Sequence, residues 1–218
     1  MGNNVAYSAT FCREAEQPEI VDQLTIFRKA LFVDRCGWQL NVLDGRERDE
    51  FDTDKCIHCA LFHGEKLIGG FRAISTDGPC LATKVFPDLA TLQPVPQRRD
   101  YWEISRFGVL PTANGTRASL LNYALMFYFA RQIQAKALVA IADLTYERFL
   151  ETLGIRTRRY GPPQEIGTSS FGAPLHAVLG EIPLAAQSGE KFERLVGAIK
   201  NVEVTDASQI FGPARISA

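Results

Sequence analysis

Residues 101–110 have the sequence YWEISRFGVL, a mostly apolar and aromatic run that contains two charged side chains, Glu103 and Arg106. This composition is typical of a β-strand that is largely buried. In a regular strand the two charges would face opposite sides of the sheet, because the side-chain period is two residues. A β-bulge would bring them together, and bulges are frequent beside active sites. The run therefore predicts a strand that carries polar chemistry.

Hydrophobic periodicity and turn residues predict the elements on both sides of this strand. The predicted helices cover residues 18–35, 117–135, 145–153 and 188–201. The other predicted strands cover residues 56–63, 66–75, 137–142, 157–161 and 174–181, the first two forming a hairpin. This order favours an α/β or α+β domain with a mixed sheet. Because no segment has the composition of a linker, we expect residues 1–218 to form a single domain.

Composition excludes several classes of protein. The 218 residues include 24 Lys and Arg against 25 Asp and Glu, and this balance argues against a general nucleic-acid binder. The apolar runs are far shorter than the ~20 residues that span a bilayer, so no membrane segment or export signal is expected. Five cysteines, an odd number without the spacing of a disulfide framework, favour the reducing cytoplasm.

Polar and aromatic residues follow one another in a characteristic order along the first half of the chain. They are Arg28-x3-Phe32-x5-Trp38, Asp49-x2-Asp52, Arg72, Phe86 and Glu103-x2-Arg106. With the strand WEISRF at residues 102–107, this set resembles the acyl-homoserine lactone synthases, which make quorum-sensing autoinducers. The resemblance covers mainly residues 20–110.

The resemblance implies an acyltransferase that needs no prosthetic group and no metal. Its substrates would be S-adenosylmethionine and a fatty acyl thioester. The amine of S-adenosylmethionine is acylated, and its carboxylate then closes the lactone and expels methylthioadenosine. The implied fold is that of the GCN5-related acetyltransferases, a mixed sheet flanked by helices in which a central strand splays from its neighbour and admits the thioester.

The residue types suit that chemistry. The resemblance places S-adenosylmethionine against Arg28, Phe32, Trp38, Asp49, Asp52 and Phe86, and the catalytic groups at Glu103, Arg72 and Arg106. Two carboxylates can offset the sulfonium and the ammonium, an arginine fork can grip the carboxylate, and a Trp face attracts a cation. Glu103 is the candidate general base, acting directly or through a water, and burial would raise its pKa towards neutrality.

The acyl thioester is expected against Phe107, Gly108 and Val109 of the splayed strand and against Asn114, Gly115 and Arg117 at the start of the next helix. Coenzyme A could place its pyrophosphate on backbone N–H groups there. The chain resembles the acyl-CoA-dependent branch, which takes short branched or aryl acyl groups, so a short or branched acyl group is expected. Acyl carrier protein is the alternative donor, and it would dock on basic residues, for which the candidates are Arg98, Arg99, Lys136, Arg156, Arg158 and Arg159. The acyl pocket is expected beside the helix at 117–135, where the bulky candidates are Met126, Phe127, Tyr128, Phe129, Tyr146 and Phe149.

Structural interpretations remain open for the same residues. Asp49 and Asp52 lie in a segment with nine charges, residues 41–55, and could be solvated. Arg72 and Glu103 could form an ion pair between strands, and Arg106 could brace the acidic residues. An N-acyltransferase with another amine acceptor and a non-catalytic binding module are the competing functions.

A zinc site is the interpretation that Cys56-x2-Cys59 invites, with His58 and His63 nearby. We do not expect one, because two cysteines three apart in a strand face opposite sides of the sheet, and no second Cys/His pair completes the set.

Overall fold

The computed structural model describes residues 6–111 and 115–212. The strands are β1 Tyr7–Cys12, β2 Val42–Leu43, β3 Arg46–Glu47, β4 Ile57–His63, β5 Lys66–Ser75, β6 Tyr101–Val109, β7 Ala137–Ala142, β8 Arg158–Arg159, β9 Gln164–Thr168, β10 Pro174–Pro183 and β11 Val202–Asp206. The α-helices are α1 Pro18–Arg28, α2 Leu81–Lys84, α3 Gly115–Gln132, α4 Leu144–Thr152 and α5 Glu190–Gly197. None of the helices in these ranges is long and apolar enough to cross a bilayer.

A mixed sheet flanked by helices forms the framework, as predicted. Its path is β11-β1-β4-β5-β6-β7-β10-β8, with β9 added against β10, while β2 and β3 form a separate hairpin. The pairs β1–β11 and β6–β7 are parallel, and the other pairs are antiparallel. The hairpin β4–β5, the strand β6 and the helices α3 and α4 lie where the sequence predicted them.

Six strands were not predicted as the structure has them: β1, β2, β3, β9 and β11 were missed, and β8 is shorter than expected. β1 and β11, at opposite ends of the described chain, pair with each other and extend the sheet beyond the predicted hairpin. The predicted strand at 157–161 is only the two residues of β8. The predicted helix at 18–35 is helical throughout, but its last part, Lys29–Arg35, is a π-helix that ends before Gly37 at φ 70°.

The two faces of the sheet carry different partners. One face packs against α3 and α5 in the main core, where the rings of Phe127 and Phe192 meet edge to face at 4.8 Å. The opposite face packs against α1, through an apolar cluster that includes Leu24, Leu31 and Ala60. Strand β4 shows the alternation directly, since Cys59 belongs to the first cluster and Ala60 to the second.

Strands β6 and β7 separate after a short contact. They pair only at Tyr101–Ala137, Trp102–Leu138 and Glu103–Val139, and β6 then continues to Val109 along β5 alone. The expected splay is therefore present, and Glu103 is the last residue of β6 before it opens.

A bulge lies just beyond that opening. Arg72 pairs with Ser105 and Gly70 with Gly108, so β6 has one more residue than β5 in this interval. Arg106 supplies it, with φ 53° in the left-handed region that is uncommon outside glycine. Asn122 of α3 holds the distorted region, because its amide donates to the carbonyls of Gly70 at 3.2 Å and Gly108 at 3.3 Å. The bulge considered from the sequence is confirmed.

Candidate active site

Six charged side chains form a network on the α1 face of the sheet. Three are basic and three are acidic, so the set is neutral: Arg28, Arg72 and Arg106 with Glu47, Asp49 and Asp52. Helix α1 and strands β3, β5 and β6 supply four of them, and the turn after β3 supplies the two aspartates. The interpretation of Asp49 and Asp52 as solvated loop residues is wrong.

Asp52 occupies the inner end of this network. Its two oxygens accept from both terminal nitrogens of Arg28, at 2.7 and 2.8 Å, and one oxygen also accepts from Arg72 at 2.9 Å. The side chain is only 4% exposed. Burial alone would raise the pKa of Asp52, but the two guanidinium groups outweigh it and hold the pKa far below its usual range. Asp52 is therefore a buried, permanently ionised anchor.

Asp49 lies at the outer edge of the network. It accepts from Arg72 Nη2 at 2.9 Å and from Arg106 Nη2 at 2.8 Å, and its side chain is 18% exposed, the largest fraction among the six. Burial tends to raise the pKa of this carboxyl, but the positive charges of Arg72 and Arg106 lower it by more. The net pKa shift is therefore downward. Asp49 thus presents a fixed negative charge at the edge of the cluster.

Glu47 is a member that the sequence analysis did not single out. It is fully buried, and Arg28 and Arg106 both donate to it, the latter at 2.8 and 3.1 Å. Its neighbours Arg46 and Arg48 instead pair with Asp22 and Glu14 nearer the surface. The sequence does indicate this position, because residues 46–49 alternate basic and acidic side chains. In a strand such an alternation places the basic residues outward and the acidic residues inward.

Glu103 stands apart from this network. Its carboxylate accepts from the backbone N–H groups of Leu81 at 3.1 Å and Ala82 at 2.7 Å, at the start of α2, so the suggested ion pair with Arg72 is wrong. The side chain is on the same face as Ser105, whose hydroxyl accepts from Arg72 Nε at 3.1 Å. Burial raises the pKa of Glu103, and the two N–H groups and the charge of Arg72 only partly oppose it.

The predicted aromatic residues lie on the same face. The rings of Phe32 and Trp38 stack at 5.0 Å between centroids within the α1 cluster. A Cβ at position 108 would clash with Leu31 and come within 3.5 Å of Phe32, so glycine allows the π-helical segment to approach β6. Phe86 follows α2 and packs against a second apolar cluster on this face, which includes Phe51 and Ile74. The charged network therefore lies between two apolar clusters.

An apolar cavity of about 220 Å³ opens on the other face, between the splayed strand and helices α3 and α4. Its lining residues are Phe107, Val109, Ser119, Tyr123, Thr145, Tyr146 and Phe149. Tyr146 and Phe149 were predicted here. The other bulky candidates, Met126, Phe127, Tyr128 and Phe129, belong to the main core or pack against it. Tyr123 was not predicted.

Comparisons with known proteins agree with this geometry. Residues 12–179 match the autoinducer synthase family. The chain is 34% identical to the acyl-homoserine-lactone synthase of Acinetobacter nosocomialis over 156 residues, which are 66% of this chain and 85% of that protein. This chain belongs to the autoinducer synthase family. It is an acyltransferase that makes a quorum-sensing signal.

Solved structures share the fold of this synthase. BjaI, a CoA-dependent acyl-homoserine lactone synthase solved with MTA, superposes with a TM-score of 0.77 over 91% of this chain and 93% of its own, at 20% identity. A putative N-acetyltransferase from Lactobacillus plantarum gives a TM-score of 0.52 over 81% of this chain and 99% of its own, at 19% identity. The fold is therefore shared with that putative acetyltransferase as well as with BjaI.

Only some of the residues expected to bind the acyl thioester lie at the cavity. Phe107 and Val109 of the synthase line the cavity, whereas Gly108 faces α1. Gly115 begins α3, and the guanidinium of Arg117 lies 5.2 Å from the ring centre of Tyr7. Asn114 lies outside the described residues.

Most of the basic residues proposed for a carrier-protein surface have acidic partners. Arg98 and Lys136 both pair with Asp100, at 2.8 and 3.0 Å. Arg99 pairs with Asp77, Arg158 with the buried Glu181, and Arg159 with Glu147. These pairings reduce the positive charge that the face could offer to an acidic partner.

Asp52, Cys56 and His58 bring three possible metal-ligating atoms within 4.8 Å of one another. Burial lowers the pKa of His58 to about 4 and raises the pKa of Cys56 to about 11, so both are neutral at pH 7. A metal ion here would compete with Arg28 and Arg72 for Asp52. Cys59 lies in the core on the opposite face, as the strand period predicted. We assign this cluster to packing beneath the network.

Proposed function

We propose that this synthase converts S-adenosylmethionine and a short acyl-CoA into N-acyl-L-homoserine lactone, releasing methylthioadenosine. The observation that carries the proposal is the position of Glu103 where β6 and β7 part. The charged network lies on one face of the sheet, and the apolar cavity opens on the other. An amine held on the first face can meet a thioester that enters through the splay.

The acceptor is proposed to bind at the exposed edge of the network. Asp49 offers its negative charge to the ammonium and sulfonium groups, and the stacked rings of Phe32 and Trp38, which follow α1, provide apolar cover. The guanidinium groups of Arg28, Arg72 and Arg106 already pair with protein carboxylates, so we assign them to positioning the aspartates. This assignment replaces the expectation that Arg28 or Arg72 grips the substrate carboxylate.

Glu103 is proposed as the base. It removes a proton from the ammonium, directly or through a water, and the free amine attacks the thioester carbon. The C–N bond forms as the C–S bond breaks, the second proton of the nitrogen passes to the departing sulfur, and coenzyme A leaves as the free thiol. The substrate carboxylate then attacks its own γ-carbon, and methylthioadenosine leaves with the electrons of the C–S bond.

The proposed donor is acyl-CoA. The paired arginines leave less free charge for an acidic carrier protein, and α3 begins beside the cavity, where its first N–H groups suit a pyrophosphate. BjaI, which shares the fold, is CoA-dependent. The small volume of the cavity and its aromatic walls favour a short acyl group.

We expect kcat/KM with the best acyl-CoA to equal or exceed kcat/KM with the same acyl group on acyl carrier protein. Chromatography of released methylthioadenosine measures kcat/KM for each carrier. The donors are butanoyl, 3-methylbutanoyl and hexanoyl groups on coenzyme A and on acyl carrier protein. A preference for the carrier protein by about tenfold or more would contradict the assignment to coenzyme A. In that case Arg156, which is exposed, becomes the first docking residue to replace.

Asp49→Asn is expected to raise the Kd for S-adenosylmethionine about tenfold or more, because a charge-assisted contact typically contributes ~1.5–3 kcal/mol. Isothermal titration calorimetry measures the affinity. Asp22→Asn is the matched control, since Asp22 pairs with Arg46 outside the network and both are well exposed. Unchanged affinity in a folded Asp49→Asn protein would remove Asp49 from the acceptor site.

A further inference from the structure

Tyr123 of α3 has an unusual hydroxyl group. The residue lines the cavity and is only 3% exposed. Its Oη is buried and has no hydrogen-bond partner among residues 6–111 and 115–212. Buried hydroxyl groups in proteins are normally paired, and those that are not require an explanation.

The other hydroxyl groups around the cavity are accounted for. Ser119 donates to the carbonyl of Gly115 at 2.9 Å, and Thr145 and Tyr146 are exposed to solvent. Tyr123 is thus the lining hydroxyl that is both dry and unpaired.

The ring of Tyr123 is held firmly. Its centroid lies 4.5 Å from that of Phe107 and 5.9 Å from that of Phe149. Burial raises the pKa of Tyr123 well above its ordinary value, so the group is a neutral O–H donor at neutral pH. An unpaired O–H donor on a side chain that lines an apolar cavity selects for an acceptor oxygen that reaches it from that cavity.

We propose that Tyr123 is a specificity-determining residue that donates a hydrogen bond to an oxygen atom on the acyl group, so that this synthase prefers an oxo- or hydroxy-substituted acyl chain over the unsubstituted one. The inference rests on the proposed function, because it takes the cavity to be the acyl pocket. No bond is made or broken by Tyr123, and its effect is on selection alone.

The test compares matched donors that differ by one oxygen function: hexanoyl-CoA with 3-oxohexanoyl-CoA, and cinnamoyl-CoA with 4-hydroxycinnamoyl-CoA. In at least one pair we expect the oxygenated donor to have the higher kcat/KM by about tenfold, the usual worth of one hydrogen bond. Tyr123→Phe should bring that ratio close to one by slowing the oxygenated donor, while the unsubstituted donor is used as well as before or better. Equal use of both members of both pairs by the wild type would overturn the inference, as would a ratio that survives Tyr123→Phe.

Tyr128→Phe is the matched control, because it removes a hydroxyl from the same helix outside the cavity lining. Its donor ratios should equal those of the wild type. The melting temperature of Tyr123→Phe should equal or exceed that of the wild type, since no partner is lost. A clear fall would show that the hydroxyl is already paired within the protein and would overturn the inference.

The same pairs on acyl carrier protein measure the ratio whichever carrier the enzyme uses. Lactone formation with a ratio near one on both carriers refutes the role of Tyr123 and leaves the proposed function standing. No methylthioadenosine release with any donor would refute both.

Discussion

Glu103→Gln lowers kcat by about 10²–10⁴, the range usual for loss of a general base. The glutamine keeps the size of the side chain but removes the oxygen that takes the proton. The affinity for S-adenosylmethionine should fall much less, because Glu103 is held by the N–H groups of Leu81 and Ala82 and makes no direct ion pair with Arg72. Stopped-flow or steady-state assays of methylthioadenosine release measure kcat, and calorimetry measures binding.

The pH dependence supplies a second signature of Glu103. Because burial raises the pKa of Glu103, the wild-type rate should rise with pH through that pKa, and this limb should vanish in Glu103→Gln. A matched control is Glu181→Gln, another buried glutamate, which lies two strands from Glu103 in the same row of the sheet and pairs with Arg158 and Tyr160. It should retain the limb. A Glu103→Gln protein with more than about a third of wild-type kcat would make Glu103 structural.

The ionisation of Glu103 should also change the stability of the fold with pH. A carboxyl whose folded pKa exceeds the unfolded value of about 4.3 stabilises the fold when protonated, and that stability is lost as pH rises through the folded pKa. Glutamine does not ionise. The melting temperature of Glu103→Gln relative to the wild type should therefore rise between pH 4 and neutrality.

Asp52→Ala lowers the free energy of unfolding by about 3–5 kcal/mol, because it leaves the buried network of Arg28 and Arg72 with one positive charge more than its carboxylates can balance. Urea denaturation at pH 7 measures this loss. Asp22→Ala is the control, and it should lose far less stability because its pair with Arg46 is exposed to solvent. Equal losses in the two variants would contradict the assignment of Asp52 as the anchor of the network.

Acid should weaken the same anchor. The folded pKa of Asp52 lies far below the unfolded value of about 3.9, so its contribution is complete above that value and is lost as pH falls below it. Wild-type stability should drop more steeply than that of Asp52→Ala as the pH falls below about 4.

Local patterns predicted much of this molecule because several features depend only on neighbours in sequence. The run at 101–110 predicted β6, and the spacing of Glu103 and Arg106 raised the possibility of a bulge that the structure places at Arg106. Residues 46–49 alternate basic and acidic side chains. This period of two indicates that Glu47 faces inward, where it pairs with Arg106. Charge count alone made the segment seem solvated.

Long-range pairing explains what could not be predicted. β1 pairs with β11 on one side and with β4 on the other, and neither β1 nor β11 has a strong sequence signal of its own. The burial of Asp49 and Asp52 depends on arginines from α1, β5 and β6, which only the folded sheet brings together. Tyr123 lines the cavity because of the angle between α3 and the splayed strand, and no local sequence pattern predicts that angle.

The central claim is that one site, with Glu103 where the strands part, acylates and lactonises S-adenosylmethionine. Mass spectrometry of the products from S-adenosylmethionine and hexanoyl-CoA tests it most directly. We expect N-hexanoyl-homoserine lactone and methylthioadenosine in equal amounts from the wild-type enzyme, and a loss of both in Glu103→Gln. Acylated S-adenosylmethionine or free hexanoate without methylthioadenosine, or equal product from Glu103→Gln, would contradict it.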